Sequence, residues 1–258
     1  MTTAVHFDPS KFNHQHAVCG GFNYHYVDQG PKDGLPVVLV HGFPDLWYGW
    51  RHQIQFLVSL GRYRVIVPDM LGTGNPFRPV TERLITPEDF ASENPAFQYF
   101  SYFASPEAIV DFDEGVEDIV GELFSEENGN SDEDRAYYIQ SHRKGGFHGP
   151  LSYYKTFAAS HQEDLYLVGK RYPIPTLLIV VKSDHIVTPE YCYQVPADYF
   201  DVLEIQELDE GGHWCLTANP EGVNKLLGEY LCRISLQAGI IGRLDTCRRL
   251  AIEARARL

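Results

Sequence analysis

The sequence has no long apolar run, no excess of basic residues and no paired cysteine motif. A transmembrane helix needs roughly 18 or more consecutive apolar residues, and no stretch comes near that length. Residues 1–10 lack the charged segment followed by an apolar one that marks a signal peptide. Lysine and arginine number 21 against 35 acidic residues, a net charge of −14, so binding to nucleic acid is not expected.

Cysteines and metal-ligating motifs are sparse as well. The five cysteines lack any C-x-x-C spacing, which favours buried, reduced thiols in an intracellular protein. His14 and His16 have a spacing that occurs in metal sites, but on an edge strand we expect them to be surface residues. Without an H-E-x-x-H or comparable set, the sequence predicts no metal and no cofactor.

What the sequence does contain is a series of short strands. Residues 36–40, 64–67 and 175–181 are continuous apolar runs rich in β-branched residues, typical of parallel strands covered on both faces. Residues 202–208 and 22–27 alternate between apolar and polar side chains, which predicts strands at the edges of the sheet.

Helical patterns fill the intervals between these strands. Residues 47–60 separate the first two buried strands, and residues 105–167 hold several helices and no convincing strand. Ser105-Pro106 is a good helix start, and Gly145-Gly146 ends a later helix. We therefore expect an α/β domain with an inserted helical cap. The predicted divisions are residues 1–75 and 170–236 for the sheet domain, 76–169 for the cap and its approach, and 237–258 for a C-terminal helical extension.

Three places in the chain have residues suited to hydrolytic chemistry. Residues 41–44 follow the first buried strand, where a tight turn exposes backbone N–H groups that can stabilise an oxyanion. Asp184 follows strand 175–181, and His213 lies on a glycine-flanked loop after the last strand. A carboxylate can orient a histidine that takes a proton from a nucleophile or water, and the chain order Asp then His matches α/β-hydrolases. Taken singly, each of these residues is more simply explained as an ordinary residue of a turn than as a catalytic one.

Longer segments around these residues resemble one family. Residues 41–54, HGFPDLWYGWRHQI, and 67–74, VPDMLGTG, closely resemble the matching regions of soluble epoxide hydrolases. The resemblance implies an α/β-hydrolase fold, with a mostly parallel sheet, flanking helices and a helical cap, that opens small organic epoxides to diols without a cofactor. It assigns catalytic roles to Asp184 and His213. It places four further residues in the oxyanion and substrate pocket, namely His41, Phe43, Pro44 and Trp47.

Two tyrosines extend the resemblance into the cap. Residues 94–99, NPAFQY, and 146–155, GFHGPLSYYK, resemble two cap segments of epoxide hydrolases, in which Tyr99 and Tyr154 match the family's paired tyrosines. Two phenols that meet on an epoxide oxygen can donate hydrogen bonds and a proton as the ring opens. The chain has 16 tyrosines, and any one by itself is more simply a packing residue with a bonded hydroxyl.

One part of the family pattern is missing. In the family, an aspartate in a Gly-x-Asp-x-Gly elbow attacks the epoxide carbon, whereas the similar glycine spacing at residues 145–149 has Phe147 at its centre. Residues 75–79, NPFRP, resemble a family segment well beyond the elbow. The resemblance therefore places a gap at about Gly74/Asn75, with two central strands and the nucleophile elbow absent. We expect impaired catalysis and a poorly stable sheet.

Other carboxylates are poor substitutes for the absent nucleophile, because they are expected on the exposed face of an acidic helix. They are Asp111, Asp113, Glu114 and Asp118.

Three interpretations remain open. The chain is an epoxide hydrolase by descent, or a non-catalytic product (a splice variant, an incorrect gene model or a pseudoenzyme) that at most binds apolar molecules, or an unrelated domain with matching motifs. The last requires independent matches at five separated sites in the correct order. Residues 256–258, Ala-Arg-Leu, resemble a peroxisomal address, so the expected location is cytoplasmic or peroxisomal. A fluorescent fusion with Leu258 intact that stayed in the cytosol would exclude the peroxisomal location.

The gap makes a prediction about the transcript across the codons for Gly74 and Asn75. Since good motifs lie on both sides of the gap, we expect an omitted coding block, and amplification should yield a longer product encoding Gly-x-Asp-x-Gly. A single short product would show instead that the deletion is real.

Overall fold

The computed structural model describes residues 6–70, 86–88, 92, 97–237 and 239. Its strands form two separate sheets, one of four strands in the order β1-β2-β4-β3 and one of two strands, β5-β6. The six strands are β1 (His14–Cys19), β2 (Phe22–Gln29), β3 (Leu35–Val38), β4 (Tyr63–Pro68), β5 (Thr176–Val181) and β6 (Leu203–Leu208).

The larger sheet mixes both pairing directions. Strand β2 pairs antiparallel with β1 and with β4, and β3 pairs parallel with β4. Val65 and Val67 of β4 are completely buried, as the apolar run predicts. Residues 22–27 were expected at a sheet edge and this is wrong, because β2 lies between β1 and β4 and β1 takes the edge.

The two sheets end in open edges at β3 and β5. Strand β5 pairs parallel with β6 on one side, and no described strand pairs with its other side or with the outer side of β3. Val38 is 58% exposed and Val40 is 49% exposed. The prediction that residues 36–40 form a strand covered on both faces is therefore wrong, since the face that carries Val38 and Val40 is exposed in the described chain.

Helices occupy the long interval between β4 and β5 and flank the sheets. The described helices are α1 (Arg51–Ser59), α2 (Tyr99–Phe103), α3 (Pro106–Glu114), α4 (Val116–Leu123), α5 (Asp132–Gly145), α6 (His148–Lys155), α7 (Phe157–Asp164), α8 (Pro189–Cys192), α9 (Cys215–Ala218) and α10 (Pro220–Gln237). Ser105 caps α3 by accepting a hydrogen bond from the Ala108 amide, and α5 ends at Gly145, both as expected.

Helices, rather than strand pairing, connect the two sheets. Gln53 of α1 donates from Nε2 to the Leu216 carbonyl of α9 at 3.2 Å. A Cβ on Gly228 of α10 would lie 2.7 Å from the Phe56 ring of α1, so these helices pack in close contact. Gly129 has a φ of +80°, and a Cβ there would meet the Thr217 carbonyl at 2.2 Å. The loop before α5 therefore approaches α9 as closely as a glycine permits.

A buried ion pair joins the sheet domain to the helical segment. Arg51 of α1 and Asp134 of α5 are both fully buried, and Nη2 donates to Oδ2 at 3.2 Å. The Tyr48 hydroxyl donates to the other carboxylate oxygen at 2.6 Å, and Asp134 also completes a capping box with Ser131. Burial favours the neutral acid, but the Arg51 charge and these hydrogen bonds hold the pKa of Asp134 below its usual range.

The cysteines differ from expectation. Cys232 is disulfide-bonded, and Cys19 is an exposed free thiol rather than a buried one. Cys192 is free and buried, as expected. Disulfide formation requires two Cβ atoms to come close in space, which sequence spacing does not report.

Some expectations fall outside the described residues. The gap at Gly74/Asn75, the family-like segment 75–79 and the C-terminal residues 256–258 are among them. Within the part of the chain that the structure describes, no helix is long and apolar enough to cross a membrane.

Arg51→Met tests the buried ion pair. The variant leaves the Asp134 carboxylate buried without its cation, and breaking such a pair typically costs about 3–5 kcal/mol. We expect equilibrium urea unfolding to show a loss of that size, or no folded state if the parent chain is marginally stable.

The matched control is Arg135→Met, which breaks the exposed pair with Asp132. An exposed pair contributes about 1 kcal/mol or less, so this variant should unfold close to the parent chain. Equal losses in both variants would contradict the central role of Arg51.

Candidate active site

Asp184 and His213 meet at the carboxyl ends of β5 and β6. Asp184 lies just beyond β5 and His213 in the loop after β6, and His213 Nδ1 is 3.0 Å from Asp184 Oδ2. Asp184 is 8% exposed, whereas the His213 side chain is 35% exposed. The two residues singled out in the sequence, 29 positions apart, therefore form a hydrogen-bonded pair with the histidine on the solvent side.

The Asp184 carboxylate is held in its ionised form. Its Oδ1 accepts hydrogen bonds from the Ile186 and Val187 amides at 2.8 and 2.9 Å. Burial opposes ionisation, but the hydrogen bond with His213 and these amides outweigh burial and lower the pKa of Asp184. An ionised Asp184 can fix the tautomer of His213, with the proton on Nδ1 and the lone pair on Nε2.

Glycines bring the His213 loop into position. Gly211 has a φ of +125° and Gly212 a φ of +57°, and the Gly212 amide donates to Ser183 Oγ at 3.0 Å. The Nε2 atom of His213 makes no hydrogen bond to another described residue. It is therefore available to act on a water molecule or a bound ligand.

The loop after β3 faces His213 across a small cavity. The Phe43–Pro44 peptide bond is cis, and within the described chain the Phe43 amide donates to no other residue. The cavity has a volume of about 130 Å³. Its walls come from the loops after β3 and β6 and from the helical segments around α4, α5 and α9. The residues that line it are Gly42, Phe43, Asp45, Phe124, Tyr138, His213, Trp214, Leu216 and Thr217.

The rings of Tyr99 and Tyr154 lie close to each other, and the Tyr154 ring contacts Phe43. Their ring centroids are 6.3 Å apart, and the Tyr154 ring is 5.3 Å from Phe43 in an edge-on contact. Burial, with smaller contributions from the Asp184 and Tyr191 charges, raises the pKa of Tyr99 to about 12. Burial also raises the pKa of Tyr154. Both hydroxyls therefore remain protonated donors near neutral pH, and neither donates to another described residue.

Two other residues expected in the pocket, His41 and Trp47, do not line the described cavity and are buried. His41 is 3% exposed, and its Nε2 accepts from the Met70 amide at 3.1 Å. Trp47 is 1% exposed in the core and donates from Nε1 to the Tyr137 hydroxyl at 2.9 Å. Of the four residues assigned to the pocket, Phe43 lines the cavity and the adjacent Pro44 shapes its loop.

Asp45 is a cavity residue that the sequence analysis did not single out. Its Oδ1 accepts from the Tyr138 hydroxyl at 2.8 Å and from the Leu46 amide at 2.7 Å. Burial raises the pKa of this carboxyl above its usual range. Its position directly after residues 41–44, at the carboxyl end of a strand, is the signal that could have identified it.

A strand-to-helix elbow that carries a nucleophile is not found among the described residues. Strand β4 ends at Pro68 and α2 begins at Tyr99, and between them the structure describes only residues 69–70, 86–88, 92, 97 and 98. Asp111, Asp113, Glu114 and Asp118 are exposed on α3 and α4, as expected for a solvated face.

Comparison with known proteins gives a consistent family pattern. A family model described as the alpha/beta hydrolase fold matches residues 36–96. The epoxide hydrolase srdG of Neurospora crassa is 23% identical over an alignment that covers 81% of this chain and 91% of that protein. The bifunctional epoxide hydrolase 2 of Sus scrofa is 24% identical over 87% of this chain. The alignment spans 56%, about half, of that longer protein.

The likeness extends to solved structures. Epoxide hydrolase I of potato, Solanum tuberosum, superposes with a TM-score of 0.74 at 19% identity, covering 86% of this chain and all of the potato chain. Epoxide hydrolase VrEH1 of Vigna radiata gives a TM-score of 0.71 at 17% identity. At such low identity the likeness establishes the α/β-hydrolase fold.

Asp184→Asn should destabilise the chain in a pH-dependent way. Because the folded-state pKa of Asp184 is lowered, its contribution to stability is present above the unfolded pKa of about 4 and is lost as pH falls through the folded value. We expect the parent and the variant to differ in urea unfolding at pH 7, and this difference should shrink progressively as pH falls below about 4 toward the folded pKa. Glu163→Gln, an exposed change on α7, should show neither effect. A difference that persists in acid would contradict the proposed ionisation.

Proposed function

We propose that this chain is an epoxide hydrolase-like member of the α/β-hydrolase superfamily that binds small organic epoxides but is impaired in hydrolysing them. The epoxide oxygen lies between the hydroxyls of Tyr99 and Tyr154, and its carbon skeleton lies against the aromatic wall that includes Phe43. The observation that carries the proposal is the coexistence of an assembled Asp184–His213 pair and tyrosine pair with no described nucleophile elbow.

Binding is supported by the chemistry of the tyrosine pair. Both hydroxyls are protonated, both rings are at least half-buried, and both lack a described hydrogen-bond acceptor. An epoxide offers a single small acceptor, its ring oxygen, on an apolar body. Two protonated phenols within an aromatic cluster suit that shape better than they suit a charged or highly polar ligand.

The proposed impairment of epoxide hydrolysis is supported by the alignments as well as by the fold. The alignment with the Neurospora protein runs to 313 positions, more than the 258 residues of this chain. The relative therefore has residues at positions where this chain has none. The open edges of β3 and β5 are where two further strands would pair, and a segment lost there would remove the carboxylate that forms the ester intermediate.

The remaining groups can perform only part of the reaction. Nε2 of His213 could accept a proton from water, and a tyrosine hydroxyl could give a proton to the opening oxygen, so a direct addition of water balances in atoms and charge. The carboxylate route is normally faster because the nucleophile is held against the carbon. Here a water molecule would have to be positioned without that anchor, so we expect no turnover above the uncatalysed rate.

The test uses the purified full chain and styrene oxide as a small aryl epoxide. Saturation-transfer NMR should detect binding of the aryl ring, and Tyr99→Phe/Tyr154→Phe should weaken it. Diol formation should not exceed that of His213→Gln, and mass spectrometry should show no ester adduct on the protein. His148→Gln, an exposed change on α6, is the matched control for the histidine variant.

Two results would contradict the proposal. An ester adduct on an aspartate or glutamate, together with diol formation that His213→Gln abolishes, would show a working nucleophile and overturn the impairment. Absence of binding in the folded parent chain would overturn the epoxide-binding role itself.

A further inference from the structure

The loop that carries His213 is held by different means on the two sides of the histidine. After His213, the chain is anchored by a side chain, because the Trp214 ring packs 4.9 Å from the Phe124 ring. Before His213 come Gly211 and Gly212, both with a positive φ. Glycine has no side chain to pack, and its backbone has more conformational freedom than that of any other residue. The position of this half of the loop therefore depends on hydrogen bonds to its backbone.

Ser183 makes the hydrogen bond directly before the histidine. The Gly212 amide donates to Ser183 Oγ at 3.0 Å. Earlier in the loop, the Glu210 carbonyl accepts from Asn219 Nδ2 at 2.9 Å, but both glycines lie between that contact and His213. The Ser183 hydroxyl is therefore the group that holds the backbone next to the histidine.

The contacts between the two loops form an adjacent pair. Ser183 accepts from the Gly212 amide. The next residue along each loop makes the second contact, between Asp184 Oδ2 and His213 Nδ1 at 3.0 Å. Without the first contact, the imidazole would be tied to Asp184 at the end of a flexible pair of glycines, and ordering them costs backbone entropy. Asp184 can fix the tautomer of His213 only where the backbone keeps the ring within hydrogen-bond distance.

Ser183 lies in a turn that is fixed to the smaller sheet. The Lys182 amide donates to the Leu208 carbonyl at 2.8 Å and so continues the pairing of β5 with β6. The Lys182 ammonium nitrogen is 2.9 Å from Glu207 Oε2 and 2.7 Å from Asp209 Oδ1. The Ser183 hydroxyl therefore extends from a firmly held strand end to a loop that has little rigidity of its own.

We propose that Ser183 is a positioning residue for His213, and that its hydroxyl oxygen holds the glycine loop where Asp184 can keep the histidine in its Nδ1–H tautomer. Ser183 does not line the cavity, so it acts on a bound molecule only through His213. The role requires an oxygen acceptor on a short side chain at this position, which serine and threonine supply and alanine does not.

The test is nitrogen NMR of His213 in the isotope-labelled full chain at mildly alkaline pH. No epoxide is added, so the result does not depend on whether the chain binds epoxides. The imidazole nitrogen shifts report the tautomer, and His213→Gln identifies the signals by their loss. In the parent chain we expect the pattern of a single Nδ1–H tautomer.

Ser183→Ala should disturb that pattern. We expect the shifts to average toward a mixture of tautomers, because Asp184 no longer meets the His213 ring in a fixed position. The Gly212 amide should also exchange with solvent about fivefold faster, which is the factor for one lost neutral hydrogen bond.

Two controls separate positioning from general stability. Ser183→Thr retains the hydroxyl oxygen and should keep the single-tautomer pattern of the parent. Ser59→Ala removes a serine hydroxyl that donates to the Phe56 carbonyl at 2.7 Å at the exposed end of α1. This variant loses a comparable hydrogen bond and should leave the His213 signals as they are in the parent.

Unchanged His213 signals in folded Ser183→Ala would overturn the proposal, as would an equal disturbance in Ser183→Thr. If Ser183→Ala does not fold, Ser183→Cys takes its place, because sulfur is a weaker acceptor in a side chain of similar shape. Ser183→Cys should shift the His213 signals in the same direction to a smaller extent. Signals identical to those of the parent would again overturn the proposal.

Discussion

The buried Arg51–Asp134 ion pair is the contact on which the rest of the site depends. It fixes α5 against α1, and α5 carries Tyr138, whose hydroxyl holds Asp45 at the cavity wall. A charge pair with both members at zero exposure is tolerated only when each has enough hydrogen bonds. Tyr48, Asn130 and the capping box of α5 supply most of them, with only Nε of Arg51 left without a partner in the described chain. The same few residues therefore stabilise the charges and position the helical segment.

The second constraint is the interruption of the sheet. Phe43 and Asp45 follow the strand at one open edge, and Asp184 follows the strand at the other. No ladder of backbone hydrogen bonds joins these edges in the described chain, so the site is assembled across the interruption by helix contacts such as Gln53 with Leu216. Side-chain contacts of this kind hold distances less firmly than a continuous sheet. We therefore expect the walls of the cavity to be retained better than the relative positions of the catalytic groups.

The two ends of the larger sheet have different roles. At the open edge of β3 the apolar side chains of Val38 and Val40 are exposed, a feature that invites pairing with another strand. At the opposite edge, β1 carries polar side chains, and His14 and His16 are among them. Asp69 connects the two regions, because it accepts from His25 on the hairpin and from Trp47 in the loop after β3.

The sequence by itself determined the strands and helices, the pairing of Asp184 with His213, and the approach of Tyr99 to Tyr154. Local patterns were sufficient for the strands and helices, because apolar runs and capping residues act over a few neighbours, whereas the two side-chain pairs were predicted from the resemblance to a family. Only the tertiary structure decided which strands have covered edges, that Trp47 lies in the core, and that Asp45 lines the cavity. It also decided that Cys232 is in a disulfide and that the His25 ring contacts those of His14 and His16. Each of these depends on contacts between residues far apart in the chain, about which local pattern carries no information.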